Sequence, residues 1–135
     1  MSEQLPQPCA NADSQVYWDA ARDHRLLIRK CNACGTLHFM PRHLCPSCWS
    51  DSLEWIDAKG TGTVHSYTVI RRASLSAFAQ RTPYVVALIE LDEGPRMMTN
   101  ILGDDALDVA IGDKVQVTFE DRETGSLPQF HRVKA

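Results

Sequence analysis

The sequence has no apolar run approaching the roughly 18 residues that a bilayer crossing needs. Its N-terminus, MSEQLPQPCANADSQ, has neither a basic start nor an apolar stretch. No membrane span and no signal peptide is expected, and the chain reads as a cytoplasmic protein. Internal repeats and low-complexity tracts are missing too. There is no GxSxG, no HExxH and no GxxxxGK[ST]. The common nucleophile elbow, helical zinc-protease pair and phosphate-cradling loop are therefore not expected. Positive charge is in short supply: 14 Lys and Arg face 17 Asp and Glu, for a net −3 at pH 7. That balance is a poor match for a phosphate polyanion, although a local basic patch is still allowed.

What is present is an ordinary globular composition, 44% hydrophobic and 23% charged over 135 residues. It suits one compact unit or two small ones sharing a core. Four of the five cysteines form two pairs, Cys31-x-x-Cys34 and Cys45-x-x-Cys48, with ten residues between them. Each pair makes a tight knuckle that turns two sulfurs toward one point. Two knuckles complete a tetrahedron of soft thiolate donors, which suits Zn²⁺. Gly35 follows the first pair, where a knuckle often needs positive φ. Pro46 stiffens the second. A thioredoxin-like redox site needs one such motif on a βαβ unit, not two facing each other. Four thiolates and one Zn²⁺ add −4 and +2, bringing the loaded chain from −3 to about −5. A four-sulfur centre has no open coordination position, so its expected task is folding. Cys9 stands alone in the polar N-terminal segment and reads as an incidental free thiol.

Around the cysteines, His24, His38 and His43 are read as surface or supporting residues, since four sulfurs already fill the metal's shell. Residues 22–43 carry Arg22, Arg25, Arg29, Lys30 and Arg42 against one acid, Asp23. They either form an anion-binding surface or compensate the negative thiolate cluster.

Asp13-Ser14 can cap a helix running to about His24, with Val16, Tyr17, Trp18, Ala20 and Ala21 on its apolar side. Leu26-Leu27-Ile28 is a short strand. Strands are expected at 53–58, 63–72, 84–92, 96–103, 115–120 and 130–134. The run 84–92 is almost continuously apolar, as in a strand buried on both faces. Glu93-Gly94-Pro95 turns it into a hairpin with 96–103. Segment 73–83 is a loop with a short helical turn at most. Five or six strands in about 80 residues suit a small barrel, the five-stranded OB type being the commonest, with an SH3-like barrel or a small sandwich also open.

The blocks YWDAARDHRLLIRKCNACG, PRHLCPSC, LEWIDAKGTGTVHSYTVI, PYVVALIELDEGPRMMTNILG and IGDKVQVTF span roughly residues 16–120. Their order and spacing resemble a family of small proteins found with acyl-CoA enzymes. The resemblance implies a mainly β chain with an N-terminal helix, in which a rubredoxin-like zinc ribbon precedes a five-stranded OB-fold barrel. Residues 1–25 would be the arm and helix, 26–52 the ribbon and 53–135 the barrel. It implies Cys31, Cys34, Cys45 and Cys48 as ligands of a structural Zn²⁺. It also implies a non-catalytic accessory subunit of a hetero-oligomer, partnered by a thiolase-like or hydratase-like subunit, in some members helping to form the passage for the acyl-CoA.

His65 and Ser66 are adjacent in a strand, so they point to opposite faces and cannot act as a base–nucleophile pair. Asp104, Asp105 and Asp108 cluster near a turn and read as a solvated loop rather than a metal site. Arg71, Arg72 and Arg81 flank a loop containing Phe78. They suit the phosphates of CoA, or a partner surface. Phe78 and Leu75 look like an apolar loop tip that docks on a partner. The rival function is single-stranded nucleic-acid binding, for which His65, Tyr67 and Phe130 are the candidate stacking residues. Tyr84 and Phe119 are assigned to the core.

Overall fold

The computed structural model describes residues 5–133; residues 1–4 of the expected arm and Lys134 of the last expected strand lie outside them. Helix α1 spans Gln15–Arg22 and buries Tyr17, Ala20 and Ala21. Asn11 and Ser14 fix its entry. The Ser14 amide donates to Asn11 Oδ1 at 2.9 Å and the Asn11 amide to Ser14 Oγ at 3.1 Å. Ser14 is the cap by position, but its hydroxyl makes no bond to the helix. The helix ends before the expected His24 because His24 adopts φ 57°. The His24 amide donates to Ala21 O and the Arg25 amide to Ala20 O, both at 2.9 Å. This pair of bonds is a Schellman closure, with His in the position where glycine is usual.

Strands β1 (Leu27–Cys31), β2 (Leu37–His38) and β3 (Leu53–Asp57) form one antiparallel sheet in the order β2-β1-β3. The sequence pattern assigns 53–58 to the barrel. Instead β3 pairs along its length with β1, from Leu27↔Asp57 to Cys31↔Leu53. A five-residue strand carries no local mark of the sheet it will join; long-range pairing decides.

Five strands close the barrel: β4 (Thr61–Ile70), β5 (Tyr84–Leu91), β6 (Arg96–Leu102), β7 (Lys114–Asp121) and β8 (Ser126–Arg132), ordered β4-β5-β6-β8-β7. Val64, Val85, Ala87, Ile89, Leu91, Met97, Ile101, Val115 and Phe130 fill its interior. Gly60, at φ 82°, sits against β7 so closely that a Cβ would stand 2.4 Å from Val117 Cγ1. The expected hairpin of β5 and β6 forms, in register Val85↔Ile101 to Glu90↔Arg96. However, β5 is not buried on both faces. Its inner residues are buried, whereas Tyr84, Val86 and Leu88 are only half-buried outside.

Strand β8 begins at Ser126, earlier than expected, and includes Pro128. A proline argues against a strand interior. Here it is allowed because β8 pairs with β7 along its length but with β6 only at Ile101↔Phe130 and Leu102↔His131. Along the rest of that seam the ladder is absent, so no N–H is missed. β4 is also only partly paired. Its register with β7 covers Thr61–Thr63, and beyond the irregularity at Val64/Ser66 it pairs with β5 alone.

Candidate metal centre

β1 delivers Cys31 to the first knuckle, and the second knuckle repeats the same bonds. The Cys31 amide donates to Thr36 O at 2.9 Å, and the Cys45 amide to Ser50 O at 2.8 Å. The Gly35 amide donates to Cys31 O at 2.8 Å, and the Trp49 amide to Cys45 O at 3.0 Å. Gly35 and Trp49 are thus equivalent, and both are left-handed, at φ 78° and 68°. Sequence reasoning found the glycine and missed that a tryptophan, 77% exposed, holds the matching place.

The four sulfurs lie within 4.8 Å of one another. Cys31 Sγ stands 3.6 Å from Cys48 Sγ, and Cys34 Sγ 3.6 Å from Cys45 Sγ. A tetrahedral ion with bonds of about 2.3 Å to sulfur needs edges of about 3.8 Å. The donor set therefore fits Zn²⁺, and all four cysteines are free rather than disulfide-bonded. Cys31 and Cys45 are buried, Cys34 and Cys48 exposed. Hydrogen bonds at Cys31 and Cys34 favour their thiolates. The Thr36 hydroxyl, 3.1 Å from Cys34 Sγ, and the Thr36 amide lower that thiol to about 6. The Cys34 and Ala33 amides lower Cys31. The Ser47 amide reaches Cys45 Sγ at 3.4 Å. The Ser50 amide favours the Cys48 thiolate, but desolvation and the three neighbouring sulfurs push Cys48 up to about 12. A divalent cation at the centre removes that mutual repulsion. The site suits a closed structural zinc that ties β1 to the turn before β3.

The other candidate residues are distributed differently from expectation. His24 Nε2 lies 2.8 Å from Asp121 Oδ1, and its ring stacks on Phe119 at 4.9 Å, so it joins α1 to the barrel. His38 Nδ1 donates to Met40 O at 2.9 Å, and His43 Nδ1 is 3.7 Å from Asp13. Three of the basic set are engaged within the chain. Arg25 is bidentate on Asp57, Arg22 donates to Thr124 O, and Arg29 lies 4.4 Å over the Trp55 ring. Phe130 is no stacking platform; it is fully buried, which leaves His65 and Tyr67 of that trio exposed. Asp105 pairs with Arg132 at 3.3 Å. Arg81 is held by Glu120, which also takes Arg122 at 2.8 Å. Arg71 and Arg72 are exposed and have no partner among the described residues. Phe78 is half-buried and packs 5.8 Å from Tyr84, so only Leu75 of the expected loop tip stands out, 54% exposed.

One feature had no motif to announce it. A cleft of about 530 Å³ opens over the β6–β8 seam, under α1 and the turn after β2. Tyr17, Phe39, Phe78, Tyr84 and Met98 line it, and Asn100 and Gln129 lie in its floor. Apolar walls with a few amides are the usual make-up of a small-molecule cleft. Its residues come from six separated segments, so no local pattern could reveal it.

Two family models match the chain: the rubredoxin-like zinc ribbon domain of ChsH2 over residues 18–54, and the C-terminal OB-fold domain of ChsH2 over residues 55–120. A probable enoyl-CoA hydratase alpha subunit of Thermomonospora curvata is 44% identical over 98 residues, 73% of this chain. This chain spans only 30% of that protein's length. A DUF35 domain-containing scaffold protein of Methanothermobacter thermautotrophicus is 40% identical, over 76% of this chain and 77% of its own. Among solved structures, a chain of the Ltp2-ChsH2(DUF35) aldolase is 38% identical, with a TM-score of 0.83 over 93% of this chain and 98% of that one.

Proposed function

The chain belongs to the DUF35 family of ChsH2-type zinc-ribbon and OB-fold proteins, and from this premise we propose that it serves as a non-catalytic accessory subunit of an acyl-CoA-processing complex. The observation that carries this reading is the likeness, along 93% of the chain, to a chain of the Ltp2-ChsH2(DUF35) aldolase. The relatives named hydratase alpha subunit and scaffold protein support it. The zinc centre contributes rigidity. A bound zinc would stiffen the ribbon, whose turn after β2 supplies Phe39 and Met40 to one wall of the cleft.

The finer reading is that the partner is a thiolase-like or hydratase-like enzyme and that this chain helps to hold the acyl-CoA. The apolar cleft would take part of the acyl group. Arg71 and Arg72 would meet either a CoA phosphate or a partner carboxylate; Arg81, engaged by Glu120, would not. Co-expression with acyl-CoA enzymes encoded beside this chain, followed by purification and mass measurement, tests the proposal. A stable complex whose acyl-CoA turnover depends on this chain is expected. Turnover of acyl-CoA by this chain alone would overturn it. So would an enzyme fully active and stable without it.

A further inference from the structure

We propose that the uncovered edge of β4, residues 65–70, accepts an extended acidic strand of the partner subunit, which adds to the sheet while Arg71 and Arg72 receive its carboxylates. The inference rests on reading the chain as a docking subunit and names the surface and the chemistry of what docks there.

The backbone gives the first argument. β4 runs to Ile70, but its register with β7 ends at Thr63, followed only by bonds from Val64 to Asp113 and Gly112. Ser66–Ile70 then pairs with Leu88–Tyr84 on one side alone. In an antiparallel strand, alternate N–H and C=O groups face away from the partner. Among the described residues, nothing meets those of 66–70. His65, Ser66, Tyr67 and Thr68 are all exposed.

Sequence gives the second. Open edges are normally blunted by lysine, proline or a covering element. HSYTVI contains no proline, no lysine and no arginine. Tyr67, Thr68, Val69 and Ile70 are instead the residue types that strands favour. The irregularity at Val64/Ser66 precedes this stretch and leaves five residues in unbroken register with β5. Such an edge is a pairing surface.

Charge decides the occupant. From Ala58 to Ile89 the chain has no Asp or Glu. Arg71 and Arg72 directly follow the edge, exposed and without partners among the described residues. A second copy of this edge would bring the same cations and no carboxylate. An acidic strand from another protein satisfies both the backbone and the arginines.

The zinc-loaded chain titrated with two synthetic peptides, alternating Glu-Val and alternating Lys-Val, tests this by residue-resolved amide exchange. The Glu-Val peptide at saturation should slow exchange at alternate amides of 66–70 by about ten-fold. The Lys-Val peptide should not, and R71E/R72E should reverse the preference. No slowing by Glu-Val peptide at millimolar concentration would overturn the proposal. So would equal slowing by both peptides, slowing that grows with protein concentration alone, or protection of this edge by poly(dT) but not by the acidic peptide. If the acyl-CoA enzyme complex forms while 66–70 exchange freely within it, this inference falls and the accessory-subunit reading stands. If no complex forms, that reading falls and the peptide arm judges the edge.

Discussion

Gln129 Oε1 accepts the backbone amide of Asn100 at 2.9 Å, and so a side chain closes the seam where β6 and β8 have no ladder. The same oxygen accepts the Thr99 hydroxyl at 3.0 Å, and Gln129 Nε2 donates to Asn100 Oδ1 at 3.2 Å. Gln129 is 5% exposed, so water does not replace these bonds readily. Gln129→Leu keeps most of the bulk and strands the Asn100 amide. It should cost about 1–3 kcal/mol, read as a lower urea midpoint with an unchanged slope. An unaltered midpoint would mean that the barrel does not depend on this closure.

The paired knuckles allow a reciprocal experiment. Gly35 and Trp49 hold the same left-handed position, and neither the space at Gly35 nor the exposure of Trp49 suggests a packing role within the chain. Left-handed backbone costs a side-chain-bearing residue roughly 1–2 kcal/mol relative to glycine. Gly35→Ala should destabilise by about that amount, and Trp49→Gly should stabilise by about 1 kcal/mol. Both variants should keep full zinc content, measured by elemental analysis beside thermal melting. A destabilised Trp49→Gly would show that the indole holds the ribbon together.

Metal removal should act on the ribbon first. A chelator leaves sulfurs 3.6 Å apart without the cation that offsets them, and Cys48→Ser removes one of the four ligands. Elemental analysis of the native chain should give one zinc per chain. Chelation should release amide protection in 27–57 before that of the barrel strands, since structural zinc contributes folding free energy directly. Full protection of β1 and β3 after metal loss would contradict this.

Glu120 supplies a pH dependence. It is a half-buried carboxylate bound to Arg81 and Arg122. Burial alone would raise its pKa, but the two guanidiniums outweigh it and lower the value below 4.5. A carboxylate with a depressed folded-state pKa stabilises fully above its unfolded value and loses that contribution as pH falls through the folded value. Glu120→Gln should therefore cost about 1–3 kcal/mol near neutrality. The gap from the native chain should shrink only below about pH 4.5. Denaturant melts of both chains across pH 3–7 test this; a gap that narrows toward neutral pH would refute the ion-pair account.

Much of this molecule is legible in its sequence. The two Cys-x-x-Cys pairs announce their centre because knuckle geometry is local and ligand chemistry restricts the metal. The β5–β6 hairpin was legible through Glu93-Gly94-Pro95, and α1 through its apolar face. The errors share another cause. The sheet that β3 joins is not legible because a short run of alternating residues does not say which sheet it will enter. The start of β8 is hidden because Pro128 is compatible with a strand only where the neighbouring strand has withdrawn, which is a matter of tertiary pairing. The burial of Phe130 is not legible because outward and inward positions on a barrel differ only by register.

By itself, the sequence determined the metal ligands, the helix, the hairpin and the β character of the rest, since each depends on residues a few positions apart. Tertiary structure alone decided that Gln129 reaches Asn100, that Glu120 pairs with Arg81, and that residues 66–70 are left with one neighbour. Those outcomes follow from which strands meet, and pairing across tens of residues is a property of the closed barrel, not of any segment within it.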